Sequence, residues 1–377
     1  MRARMHAVVD GRRAGDDFMR DLLAGSRGST RGSAELFEFA EFGEGVPLGG
    51  RGTFRHAPLG GGSGDNVEAR WNLAEGTAAG TTVDIAVHLH GYGSPQAGFL
   101  ARKAALAGVE LVDSQGVVRV RSGRPTLVLV PLGHHHSGVR WSFDGTLPDV
   151  AAFDGLVAAG LAFLARTLQV TLARGRLTLM AHSGGGSGIN TLLAAGLDPH
   201  EILCFDSMYG SEGPIVAWMR RRIRSTAAAT CALRVFYTAC SGPAAGAPGG
   251  RWVDVAGKPT YQAPGSWTYR DDGRWHLITT EVSARRLQHA IDTELAASSQ
   301  ATALARCYRV QRAQVGHNDI PATYTARLLD DVTADVPQAV APPPVTSRPG
   351  CVANADWLTQ APRKPGGDDP PPPRPGP

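Results

Sequence analysis

Ser183 ends an apolar run and is followed by four glycines in five residues, in the stretch RLTLMAHSGGGSG at 176–188. A serine hydroxyl is too weakly acidic to attack a carbonyl unaided. It needs a base to take its proton, a carboxylate to orient that base, and donors for the oxyanion that forms. The chain offers imidazoles at His90, His182, His200, His276, His289 and His317, and carboxylates at Asp206, Glu212, Asp254 and Asp319. A glycine-rich turn between a strand and a helix can instead cradle a phosphate. Here no lysine follows the glycines and no G-x-G-x-x-G frame is present, so nucleophilic catalysis is the better match.

Other clusters carry less. Three consecutive imidazoles at His134 to His136 cannot converge on one metal ion without strong backbone distortion, so they read as a loop near the mouth of the site, with Trp141 and Phe143 as substrate-facing aromatics. The cysteines Cys204, Cys231, Cys240, Cys307 and Cys351 are odd in number and lack metal-ligand spacing. The basic segment WMRRRIRS at 218–225 has no interleaved aromatic platform and reads as a solvated helix face rather than a nucleic-acid surface. A net charge of +4 over 377 residues, with only three lysines, gives no broad basic field.

Elements able to position Ser183 are visible on both sides of it. The runs GTFRHAP (52–58) and NVEARWNL (66–73) read as a hairpin. TVDIAVHLHG, PTLVLVPLG, RLTLMAHS, EILCFDSMYG, ALRVFYTAC and CYRVQRAQV follow as strands. Between PTLVLVPLG and RLTLMAHS, apolar positions at 153, 156, 157, 161, 164 and 168 keep helical spacing. Repetition of strand and helix predicts an α/β chain with a mostly parallel sheet covered on both faces. Such a sheet carries its chemistry in loops after the strand C-termini. INTLLAAGL after Ser183 predicts a helix, and the sharp strand-to-helix turn explains small residues at Ala181 and 184–186.

The segment A-H-S-G-G at 181–185 resembles the nucleophile elbow, G-x-S-x-G, of the alpha/beta-hydrolase family, with Ala181 in place of the first glycine. HLHGYG at 88–93 is similar to that family's H-G-x motif, and VGHND places His317 after the last strand, where the family keeps its base. The resemblance spans roughly 80–335. It implies the alpha/beta-hydrolase fold, Ser183 as nucleophile, His317 as base, and an oxyanion hole from the main-chain N–H groups of Tyr92 and Gly184. His182 is the rival base, but neighbours at i and i+1 point apart.

For the acid, the family's commonest position lies after ALRVFYTAC, where no carboxylate occurs before Asp254. Asp206 ends the preceding strand, a position some members use, and is favoured over Asp254; Glu212 and Asp319 are outsiders. His90, Gly91, His182, Trp141 and Tyr209 are expected around the substrate pocket, with His90 bracing its loop rather than moving a proton.

The expected activity is hydrolysis of a carboxylic ester through a Ser-His-Asp triad and an acyl-enzyme. Amide or peptide cleavage, acyl transfer with the same triad, and a non-catalytic member of the fold are the alternatives. No metal or organic cofactor is implied, and the partner is a small-molecule or peptide acyl substrate.

The expected organisation is a loosely ordered extension at 1–33, a catalytic domain at 34–336 and a proline-rich tail at 337–377, which holds 13 of the 26 prolines. Residues 241–280 form an insertion with five of the fourteen Trp and Tyr residues, placed near the site. The N-terminus lacks the apolar core of a secretory signal, and 150–168 is interrupted by polar residues. A cytoplasmic protein without a membrane span is therefore expected, leaderless export being compatible with the same sequence.

Overall fold

The computed structural model describes residues 49–336 except 61–63, 92–97, 113–117, 121, 137–139, 144–145, 209–211, 226, 239–253, 256–257, 260–267, 272–273 and 278–279. All of them fall in the compact unit Val46–Pro377. The expected extension at 1–33, the tail at 337–377 and most of the insertion at 241–280 lie outside the described residues, as do Tyr92 and Tyr209.

The eight apolar runs become eight strands of one sheet: β1 (Gly50–Phe54), β2 (Val67–Trp71), β3 (Thr81–Leu89), β4 (Thr126–Pro131), β5 (Leu172–His182), β6 (Glu201–Phe205), β7 (Ala232–Tyr237) and β8 (Tyr308–Arg312). Their spatial order is β1-β2-β4-β3-β5-β6-β7-β8. β2 runs antiparallel to both neighbours, and β4, β3 and β5 to β8 are mutually parallel.

Burial on both faces explains why the central strands lack polar alternation. Along β4, Leu127 and Leu129 enter one core while Val128 and Val130 enter the other; Ile202 and Cys204 of β6 oppose Leu203 and Phe205 in the same way. The first core is closed by helices α2 (Val150–Leu168), α3 (Gly186–Ala194), α4 (Gly213–Ile223) and α5 (Thr280–Ala296), and the second by α1 (Phe99–Leu106) and α6 (Ile320–Asp330).

Among the described helices, α2 alone is long and apolar enough to cross a membrane, a length the interrupted sequence pattern understates. Its stripe Phe153, Leu156, Val157 and Leu164 is buried in the first core, and its N-terminus is capped by Asp149, which accepts from the Ala152 N–H at 2.8 Å. Three arginines at the C-terminal end of α4 are paired: Arg220 and the capping Arg224 meet Glu294, and Arg222 meets Asp198. Cys204, Cys231 and Cys307 are free and buried, and burial pushes the Cys204 thiol up to about 12, so it behaves as a small apolar side chain.

Candidate active site

β5 stops at His182, Ser183–Gly185 form one tight turn, and α3 begins at Gly186. Ser183 has φ of 51°. That left-handed conformation costs a non-glycine residue of order 1–3 kcal/mol and persists only where the surroundings impose it. Two backbone contacts impose it here. A Cβ on Gly185 would lie 2.1 Å from the Leu89 carbonyl oxygen, and one on Gly186 would lie 1.8 Å from that of Ser207. The turn is therefore wedged between the C-terminal ends of β3 and β6, a fit that admits no side chain. Gly91 is equally close: a Cβ there would stand 2.6 Å from Ser183 Cβ and 3.2 Å from its Oγ. The His90–Gly91 segment thus lies against the serine, immediately before Tyr92.

Asp206 follows β6 and also has a left-handed φ, 47°. Among the described residues, Ser183, Asp206 and Gln169, which caps α2, are the non-glycine residues in that region. The Asp206 main-chain N–H donates to the Phe236 carbonyl at 2.7 Å, fixing it at the end of the sheet. Its carboxylate collects donors. Oδ1 accepts the Thr238 N–H at 3.0 Å; Oδ2 accepts the Thr238 hydroxyl at 2.7 Å and the Nδ1–H of His317 at 2.6 Å. Burial alone would push this carboxyl up, but hydrogen bonds from His317, Thr280 and Thr238 outweigh it and hold it below the usual carboxylate range. An ionised carboxylate at 3 % side-chain exposure is therefore satisfied.

His317 opens a short turn between β8 and α6, its side chain 35 % exposed. The bond to Asp206 requires a proton on Nδ1, which leaves Nε2 of a neutral ring as an acceptor. His182 turns its ring toward this loop. Its Nε2 bonds the His317 carbonyl at 2.9 Å and the two ring centroids are 4.6 Å apart. Burial and then the neighbouring His317 bring His182 down to about 4.

His90 and His182 are expected at the pocket from sequence, but both are buried. His90 uses each ring nitrogen on main chain, Nδ1–H to the Gly91 carbonyl at 2.6 Å and Nε2 accepting from the Gly133 N–H at 3.0 Å, so it braces its loop. Burial brings it down to about 3. Gly91 is likewise buried and serves close packing against Ser183. Phe143, expected to face substrate, is 1 % exposed and packs on His90 at 4.9 Å. Trp141 lies in a ribbon paired with His135, and His134 to His136 form the other strand of that ribbon.

Of the other carboxylates, Glu212 is buried opposite Arg286 at 3.4 Å and Asp319 is exposed at the start of α6. Asp254 pairs with Pro259 in a small ribbon. His200 accepts from the Leu177 N–H at 3.1 Å, midway along β5 and away from its Ser183 end. Gly184 follows Ser183 in the turn; Tyr92, the other expected oxyanion donor, lies outside the described residues.

Thr238 and Thr280 do not stand out in the sequence. Thr238 sits one residue past β7, where the family most often places its acid. A hydrogen-bonding side chain at that position, level with the end of β6, is the available signal.

No protein-family model and no curated protein matches the sequence. Solved structures similar to it include the siderophore hydrolase EstA of Aspergillus nidulans, at 13 % identity over 81 % of this chain and 100 % of that one, with a TM-score of 0.35. The siderophore hydrolase EstB of the same organism matches at 11 % identity over 78 % and 98 %, with a TM-score of 0.34. A Thermus thermophilus protein matches at 14 % over 70 % and 91 %, with a TM-score of 0.31. The chain's own strand order, with antiparallel β2 set beside a parallel run and helices on both faces, decides the architecture. The fold is that of the alpha/beta hydrolases.

Proposed function

We propose that the protein is a serine hydrolase acting on carboxylic esters, with Ser183 as nucleophile, His317 as general base and acid, and Asp206 as the orienting carboxylate. The observation that carries this reading is the 2.6 Å bond from His317 Nδ1–H to an Asp206 carboxylate held ionised by Thr238 and Thr280, at the same sheet end as the strained Ser183 turn.

In this reading Nε2 of His317 removes the Ser183 proton as Oγ attacks the ester carbonyl carbon. The oxygen of the tetrahedral intermediate gains the electron pair of the carbonyl and is held by the N–H of Gly184 and of Tyr92. Loss of one such donor typically costs about 3–4 kcal/mol of transition-state stabilisation. The imidazolium then gives its proton to the departing alkoxide, leaving an acyl-serine. Water, deprotonated by the same imidazole, releases the acid and regenerates Ser183. Asp206 stays ionised throughout and stabilises the imidazolium.

A panel of activated esters of graded acyl length, set beside peptide amides, tests the reading. Turnover of esters by wild type and none by Ser183→Ala is the expected result. Turnover unaffected by Ser183→Ala, or none with any substrate by folded wild type, would overturn it.

A further inference from the structure

We propose that His182 is a positioning residue for the base: its Nε2–H grips the main-chain carbonyl of His317 and ties the base's loop to the strand that carries Ser183. The proposal rests on His317 being that base.

A carbonyl oxygen only accepts, so the 2.9 Å contact places the proton on His182 Nε2. The loop it holds is a three-residue turn, His317–Asp319, entered from Gly316 without a side-chain cap, and the His317 side chain is partly exposed. Such a segment has few constraints of its own. Two anchors compensate: Asp206 takes the ring at Nδ1, and His182 takes the main chain of the same residue. The rings lie against each other, centroids 4.6 Å apart and planes tilted by 39°, restricting rotation of the imidazole further.

His182 is well placed for this task because it is 5 % exposed and is the last residue of β5, directly before Ser183. Nucleophile and base are thereby referred to one rigid strand end, as accurate proton transfer requires. The charged and titratable groups around His182 are His317, Lys103 and Asp206, with His88 and His90 on β3 and its end. In that setting burial, and then the neighbouring His317, bring His182 down to about 4, so it is neutral near pH 7. It holds the loop without setting a positive charge against the imidazolium that forms beside it.

The experiment compares His182→Phe, which keeps a ring and loses the donor, with His182→Gln, whose amide N–H reaches a similar position. Steady-state ester hydrolysis gives kcat and KM, and the low-field NMR signal of the His317 Nδ1 proton reports the bond to Asp206. His182→Phe should lower kcat about tenfold, roughly the factor of one lost buried hydrogen bond, with KM within about twofold. The Nδ1 signal should broaden in His182→Phe. His182→Gln should recover most of kcat and the sharp signal.

A folded His182→Phe enzyme with wild-type kcat and Nδ1 signal would overturn the proposal, as would a His182→Gln enzyme no better than His182→Phe. If His182→Phe does not fold, His182→Met, also lacking a donor, takes its place. Wild type that neither hydrolyses esters nor reacts with a fluorophosphonate would defeat the hydrolase reading itself; reactive wild type beside an unimpaired His182→Phe defeats only the role of His182.

Discussion

Replacing Asp206 by asparagine changes one atom's chemistry and leaves the side-chain shape, and the hydrogen bonds around it dictate the consequence. Oδ1 accepts a main-chain N–H from Thr238, a donor that cannot turn away, so the oxygen of the introduced amide must occupy that position. The amide NH2 group then falls at the place of Oδ2, facing His317 Nδ1 and the Thr238 hydroxyl. The hydroxyl can rotate to accept, but the imidazole relieves the clash of two donors only by moving its proton to Nε2. That tautomer cannot take the proton of Ser183. The same wrong-tautomer effect in a Ser-His-Asp protease lowers kcat about 10⁴-fold, and a loss of that order is expected here. The assay is kcat for an activated short-chain ester, with circular dichroism to show that the variant is folded. Asp254→Asn serves as comparator: with Asp206 as the orienting acid it should stay within about threefold of wild type, a change of about 0.5 kcal/mol. An Asp206→Asn enzyme with more than a tenth of wild-type kcat, beside an inactive Asp254→Asn, would refute the argument.

Three further outcomes follow from the same geometry. Ser183→Gly should abolish ester turnover while raising stability by about 0.5–1 kcal/mol, because glycine adopts φ near 51° without a Cβ penalty; a lower Tm than wild type would contradict the strain. Gly186→Ala should destabilise by about 3 kcal/mol or more, measured by urea unfolding, because its Cβ would meet the Ser207 carbonyl oxygen at 1.8 Å, a backbone atom that cannot swing aside as a side chain would. Stability should fall between pH 6.5 and pH 4. His182 and His90, at about 4 and about 3, are neutral when folded and bind protons once unfolded, so their contribution is complete above pH 6.5 and is lost on acidification. At pH 5 the loss is on the order of 2 kcal/mol from each, and a His90→Gln variant with an unchanged pH slope would remove His90 from the argument.

The centre of the sheet is legible because strands such as β4 and the second half of β5 are buried on both faces and stand as near-continuous apolar runs; LVLV and LTLM could hardly serve elsewhere. The elbow is legible for a steric reason, since glycines at 185 and 186 answer to particular carbonyl oxygens, those of Leu89 and Ser207. Asp206 is favoured as an unexplained carboxylate ending an apolar strand, and its contact with His317 is a tertiary fact joining residues 111 apart. Such long-range pairing leaves no periodic trace, which is why Thr238 and Thr280 do not stand out. His90 and His182 are expected around the pocket, His90 as a brace for its loop, and both are buried. Their hydrogen bonds go to main chain, and no local pattern distinguishes a histidine that braces a loop from one that lines a pocket.

The central claim is that the Ser183 hydroxyl is an activated nucleophile. Intact-mass measurement after exposure to a fluorophosphonate, followed by peptide mapping, tests it directly. One phosphonyl group should be added per chain with loss of fluoride, on the peptide that contains Ser183, and none should be added to Ser183→Ala. Folded wild type that stays unlabelled, or label that persists at equal stoichiometry in Ser183→Ala, would contradict the account.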